Sequence, residues 1–255
     1  MRLPRALVTA SGILLAWQAL VWVTAVPPFI LPGPLRVAEA LAAQPALLLR
    51  HASVTLAEIL LGILLGAALG ASTAVLLAAS RAVQGWLMPL LVVSQALPVF
   101  ALAPLLVLWL GYGMASKVAM AVLIIYFPVT AAFLDGLRRT EPGWVELARS
   151  MDASGRAILA QVRVPAALPA LASGLRVTAA VAPIGAVVGE WVGSSAGLGY
   201  LMLHANARMQ VDLMFAALLL LAAMALALWL LVDRGARALV PWQPETLAHD
   251  HDGER

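Results

Sequence analysis

The sequence predicts an all-α membrane protein with about six transmembrane helices, and three observations carry that prediction. Only 11% of the 255 residues are charged and 63% are hydrophobic, whereas a water-facing domain carries about 25% charged residues. Long uncharged runs occupy 6–35, 59–80, 82–116, 118–134 and 213–232. A helix rising ~1.5 Å per residue needs ~20 apolar residues to cross a ~30 Å hydrocarbon core; most of these runs meet that length, and 118–134 falls slightly short. Finally, the basic residues are unevenly shared between the segments that join the runs.

Six spans are placed at 6–26, 55–79, 86–110, 115–136, 172–192 and 213–233, in a membrane-spanning unit of residues 1–240 followed by a solvated tail, 241–255. The first follows a basic start, Arg2 and Arg5, and its ~21 apolar residues exceed the ~7–15 of a signal-peptide core, so it reads as an uncleaved span. FILPGPLRVAEALAAQPALLLR (29–50) reads as a turn and a short amphipathic helix interrupted near Pro45. The second span carries GILLGAALG, which stacks Gly62, Gly66 and Gly70 on one face. Small residues at this spacing let backbones approach closely, either within one chain or across a dimer.

The third span is broken by SQALPVFALAPLL (94–106). Intramembrane prolines kink helices, and polar groups at this depth face protein or water. Ser94 and Gln95 therefore mark either a packing distortion or a solute path. Asp135, late in the fourth span, can pair with Arg138 three residues on. The fifth span holds Glu190, an acid that is paired with an arginine, seated at the outer interface, or in contact with solute. GSSAGLGYLMLHANARMQVD (193–212) is a polar, glycine-rich outer segment before the sixth span. Trp22, Trp86, Trp109 and Trp191 fall near span ends, where indoles favour the interface.

With the N-terminus inside, the inner segments hold Arg2, Arg5, Arg81, Arg138, Arg139, Arg149, Arg156, Arg163, Arg176, Arg234, Arg237 and Arg255, and the outer ones hold Arg36, Arg50, Lys117 and Arg208. This asymmetry places both termini in the cytoplasm. It also accounts for the net charge of +3 without nucleic-acid binding.

Several chemistries are excluded or disfavoured. With no cysteine, disulfides and thiolate ligands are absent. A phosphate-binding P-loop needs G-x-x-x-x-G-K-[ST], and the only lysine is Lys117, in ASKVA. GSSAG (193–197) fits G-x-S-x-G around Ser195, but that motif works only on a strand-to-helix elbow. His249 and His251 in the tail do not make a metal site. No catalytic constellation and no metal site is expected.

ELARSMDASGRAILAQVRVPAALP (146–169) stands apart as a charged stretch in an apolar chain. On a helical wheel Leu147, Met151, Ile158 and Val162 fall within about 60° of one another, with Arg149, Arg156 and Arg163 opposite. Alternatively, Gly155 divides the stretch into two shorter helices. The segment resembles the cytoplasmic loop of binding-protein-dependent ABC importer permeases, whose motif reads roughly E-A-A, three residues, G, and a hydrophobic-x-P or L-P ending. Glu146, Leu147 and Ala148 match its start and Val164-Pro165 its end, 19 residues after the glutamate. Asp152 stands where the motif has glycine, with Gly155 nearby.

The resemblance implies a type I ABC importer permease that dimerises and docks the loop at about 138–171 into a cytoplasmic ATPase. That ATPase holds ATP and Mg, this chain holds no cofactor, and an external solute-binding protein delivers cargo. The chain looks like the branch that carries nitrate, sulfonates, taurine and thiamine-pyrimidine precursors. Residues 181–219 look most like hydroxymethylpyrimidine or formylaminopyrimidine permeases, in which case Glu190 would accept a hydrogen bond from an exocyclic amine. A secondary carrier is the more distant alternative, and the few intramembrane acids speak against it.

Overall fold

The computed structural model describes residues 3–242. Arg2 and the tail from residue 243, with His249, His251 and Arg255, lie outside the described residues. Helix α1 (Leu3–Thr24) leads through a turn to α2 (Pro34–Ala43) and then α3 (Pro45–Ala79). Both prolines occupy the first helical turn, where a missing N–H removes no bond. Pro45 therefore opens a 35-residue helix and does not interrupt the amphipathic one.

Where one span was expected at 86–110, two helices stand: α4 (Arg81–Ala96) and α5 (Val99–Leu110), bent by 100°. The cause is Leu97–Pro98: Leu97 is extended, with φ −75° and ψ 124°, as a residue before proline tends to be. After α5 come α6 (Met114–Arg138), α7 (Pro142–Ser150), the single turn α8 (Gly155–Ile158), a π turn at Leu159–Arg163, α9 (Val164–Gly193), α10 (Leu198–Ala207) and α11 (Val211–Leu239). Among the described residues, five helical segments are long and apolar enough to cross a membrane, and α4–α5 makes a sixth if the bent pair is one crossing.

Close packing around α6 fixes the order of these helices. Gly62, Gly66 and Gly70 of α3 lie against Ala121, Ile125 and Tyr126 of α6, so close that an added Cβ would fall 2.5 Å from a side-chain or carbonyl atom at each. From the other side Gly185 of α9 approaches Ala121 and Gly174 approaches Ala132. Contacts that advance together on α3 and α6 make those helices parallel, whereas α9 runs the opposite way. Because α3 and α6 start at the same end of the bundle, α4–α5 must carry the chain back across it. One end thus gathers α2, α10 and the starts of α3, α6 and α11; the other gathers α7, α8 and the end of α11.

Gly66→Val forces a branched side chain into Ile125 and is expected to cost about 1–3 kcal/mol. Thermal unfolding of the detergent-solubilised protein should shift down by about 2–10 °C. Gly85→Val, at a site with nothing within 4 Å, is the control, and an equal shift there would refute close packing as the cause.

Candidate functional site

Three places in this bundle concentrate polar chemistry. The first is the start of α10. A helix leaves its first four N–H groups without partners, and here they belong to Gly197, Leu198, Gly199 and Tyr200. Side chains from α3 and α9 satisfy all four. Gly197 N–H donates to His51 Nδ1 at 3.0 Å, and Leu198 N–H to Thr55 Oγ1 at 2.7 Å. The Gly199 and Tyr200 N–H groups donate to Glu190 Oε2 at 2.5 and 3.2 Å. Thr55 Oγ1 donates in turn to Glu190 Oε1 at 2.6 Å. Glu190 is 1% exposed, and its partner is a helix N-terminus, where negative charge is favoured, not an arginine. Gly197, at φ +114°, gives the turn the left-handed conformation that brings the amides onto the carboxylate. Beside it His51 stacks on Tyr200 with ring centroids 5.9 Å apart, and His204 lies tilted against Tyr200 at 3.9 Å.

Next to Glu190, Lys117 Nζ lies 3.1 Å from Glu58 Oε1 with both side chains buried, in an ionic contact rather than an aligned hydrogen bond. Sequence reasoning missed Glu58, Thr55, His51 and this pairing. The signal was present, since Glu58 and Lys117 both fall inside predicted spans, where a charge calls for a partner. At the opposite end Asp233 of α11 accepts from Arg176 of α9 at 2.7 Å and from Arg237 at 2.9 Å. Asp135 pairs with Arg139, four residues on, at 3.0 Å rather than with Arg138.

The second place is the α4–α5 elbow. Ser94 Oγ donates to the Leu91 carbonyl at 2.7 Å and is hydrogen-bonded to Tyr126 Oη. Gln95 Nε2 reaches Tyr126 Oη at 3.5 Å. Gln95 is exposed among the exposed apolar residues Leu90, Val93, Leu97 and Phe100. The structure thus brings Ser94 and Gln95 together with Tyr126, but holds Glu190 apart from them at the α10 end.

The third place is the α7–α8 elbow. Helix α7 ends in two bonds, Asp152 N–H to Arg149 O and Ala153 N–H to Ala148 O, both 3.0 Å. This is a Schellman cap, in which the first residue past the helix is left-handed and usually glycine. That residue is Asp152, at φ +57°. Aspartate is among the few other residues that tolerate this region, so the helix stops here without a glycine. Ser154 then caps α8 by accepting from Ala157 N–H at 3.2 Å.

The single wheel across 146–163 does not form, because the chain turns between Met151 and Ser154. Leu147, Ala148, Met151, Val162 and Pro165 instead line one apolar cleft with Trp144 and Trp242, of about 690 Å³. Ile158 is buried on the other side. Glu146 and Gly155 are exposed and Val164 is half-buried. Through the π turn α8 runs into α9 unbroken, giving 39 helical residues from Gly155 to Gly193.

Comparison with known proteins identifies what the chain as a whole is similar to. The family described as "Binding-protein-dependent transport system inner membrane component" matches residues 58–243. A probable ABC transporter permease protein of Haemophilus influenzae is 57% identical over 91% of this chain and 95% of its own length. A riboflavin transport system permease of Chloroflexus aurantiacus is 40% identical, covering 92% and 89% of the two chains. A formylaminopyrimidine transport permease of Halalkalibacterium halodurans is 36% identical, covering 85% and 87%. Among solved structures, an inward-facing methionine ABC transporter chain superposes with a TM-score of 0.68 at 21% identity, over 77% of this chain and 98% of that one.

Two outcomes are expected. Lys117→Met strands the buried Glu58 carboxylate and should cost about 3–5 kcal/mol, seen as loss of monodisperse protein on size exclusion. Adding Glu58→Gln should restore most of it, and a double variant as poor as the single one would refute the pairing. Asp152→Gly should leave thermal unfolding unchanged or raise it, whereas Asp152→Val should cost about 1–2 kcal/mol for a left-handed branched residue; equal melting of the two would contradict the cap.

Proposed function

The chain belongs to the family of binding-protein-dependent transport system inner membrane components, and on that footing we propose how this permease subunit of an ABC importer works and what it carries. It is a multi-pass inner membrane protein. In the proposed assembly two copies join two cytoplasmic ATPase subunits and an external binding protein, with both termini and the α7–α8 elbow in the cytoplasm. The excess of arginine at that end supports the orientation. ATP and its magnesium sit on the ATPase, whose surface takes the exposed apolar face of Trp144, Leu147 and Met151.

The proposed cargo is a small, flat, uncharged nitrogen heterocycle of the thiamine-pyrimidine type, hydroxymethylpyrimidine or formylaminopyrimidine. The observation that carries this reading is the character of the α4–α5 elbow: Ser94, Gln95 and Tyr126 are neutral donors and acceptors. Gln95 would be costly facing lipid, which supports a second copy or a water-filled path over that surface. A sulfonate or nitrate calls for a cation, and Lys117 and Arg176 are already paired with Glu58 and Asp233. Relatives named for formylaminopyrimidine and for riboflavin both handle nitrogen heterocycles. Glu190 has its oxygens occupied by Thr55, Gly199 and Tyr200, so it holds α10 and is not assigned to solute.

Reconstituted with its ATPase and binding protein, the permease should hydrolyse ATP faster with hydroxymethylpyrimidine or formylaminopyrimidine than with taurine; stimulation by taurine alone would reverse the cargo assignment. Glu146→Arg should cut uptake about tenfold or more while leaving the permease in the membrane, because one lost charge-assisted contact is worth about 1.5–3 kcal/mol. Unchanged uptake would remove the elbow from coupling, and transport by this chain alone would remove the ATPase.

A further inference from the structure

We propose that the cavity between the end of α3 and the α7–α8 elbow is a binding site for the phosphate group of an anionic membrane lipid. The cavity has a volume of about 290 Å³, and its walls include Ala78 and Ala79 of α3, Arg149 of α7, and Ile158, Leu159 and Arg163 beyond the elbow. Two arginines from different elements face it and no acid lines it. Arg163 Nε is buried and has no hydrogen-bond partner among the described residues.

A buried guanidinium N–H without an acceptor costs free energy that an anion in the cavity would offset. Phosphate oxygens match the planar fork of arginine in a way few other groups do. Position selects the source of that phosphate. Ala79 is the last residue of a membrane-crossing helix, which places the cavity at headgroup depth. Basic pockets between helices at that depth are where anionic headgroups seat. Ile158 and Leu159 supply an apolar wall suited to a glycerol backbone and acyl chains, which free phosphate would not use. The apolar cleft of Trp144 and Met151, assigned above to the ATPase, is a separate cavity, so both occupants fit together. The lipid site is independent of the cargo.

The test uses the full-length protein in mild detergent, incubated with vesicles of phosphatidylcholine with or without phosphatidylglycerol, and native mass spectrometry of the lipid retained. Wild type should retain phosphatidylglycerol selectively. Arg149→Gln/Arg163→Gln should retain roughly tenfold less, the loss expected from removing charge-assisted hydrogen bonds. Arg156→Gln, outside the cavity, should retain the wild-type amount. Arg163→Lys keeps the charge but loses the fork; it should retain less than wild type, and it decides the matter if the double variant does not fold. Equal retention by wild type and the arginine variants would overturn the site. Inorganic phosphate that binds lipid-free protein and displaces phosphatidylglycerol would overturn the lipid assignment in favour of a free anion. A double variant that keeps its lipid but fails to bind the ATPase would place these arginines on the docking surface and overturn the proposal.

Discussion

Helix α6 lies so near α3 and α9 that neither neighbour has room for a side chain at the contact, and the rest of the structure depends on that proximity. In a bilayer, helices gain nothing from hiding apolar surface from one another, because lipid is as apolar as leucine; association rests on van der Waals contact and interhelical hydrogen bonds. Gly62 and Gly185 approach Ala121 from two sides, and Thr130 Oγ1 bonds the Gly70 carbonyl at 3.1 Å. Larger residues here would move α3 and α9 outward and separate groups that now meet.

Those groups are charges and helix ends that would be expensive anywhere else in the membrane. Lys117, near the start of α6, reaches Glu58 because α3 lies so close. Glu190 on α9 and Thr55 on α3 meet for the same reason. A buried polar network is stabilising only when its members are satisfied, and removing one partner costs more than the pair contributes. At the α10 end the four leading amides depend together on His51, Thr55 and Glu190, and the Lys117–Glu58 pair beside them is a separate unit. The elbow at Ser94, Gln95 and Tyr126 holds neutral groups only and carries no such constraint.

Much of the fold was legible because it is written in composition. Uncharged runs gave the spans, and the loop motif at Glu146–Pro165 gave the elbow and the family. Pro98 was visible as a break, where the extended Leu97 lets the chain turn, but the size of the turn, 100°, goes with α4 packing on α3 and α5 on α6 and α9. Helix α10 lay inside a stretch that reads as a polar, glycine-rich loop, because two of its four leading amides are capped by His51 and Thr55, about 140 positions earlier in the chain, and the other two by Glu190 on the preceding helix. Glu58 and Lys117 are also hard to see as a pair, since the broken span α4–α5 separates the helices that carry them. Asp152 reads as an anomaly in sequence and as an ordinary left-handed helix stop in the structure, at φ +57°.

The unbroken helix from Gly155 to Gly193, 39 residues and about 58 Å long, makes the two ends of the protein mechanically one object. Its foot stands in the elbow, and its head carries Glu190 and, through that carboxylate, α10. A tilt of about 5° at the foot displaces the head by about 5 Å, roughly the width of a small aromatic ring seen edge-on. Its weak points lie at Pro169 and Pro183, each lacking a backbone N–H, and at the π turn. Stiffness along this helix then sets how far a displacement at the elbow is felt at Glu190.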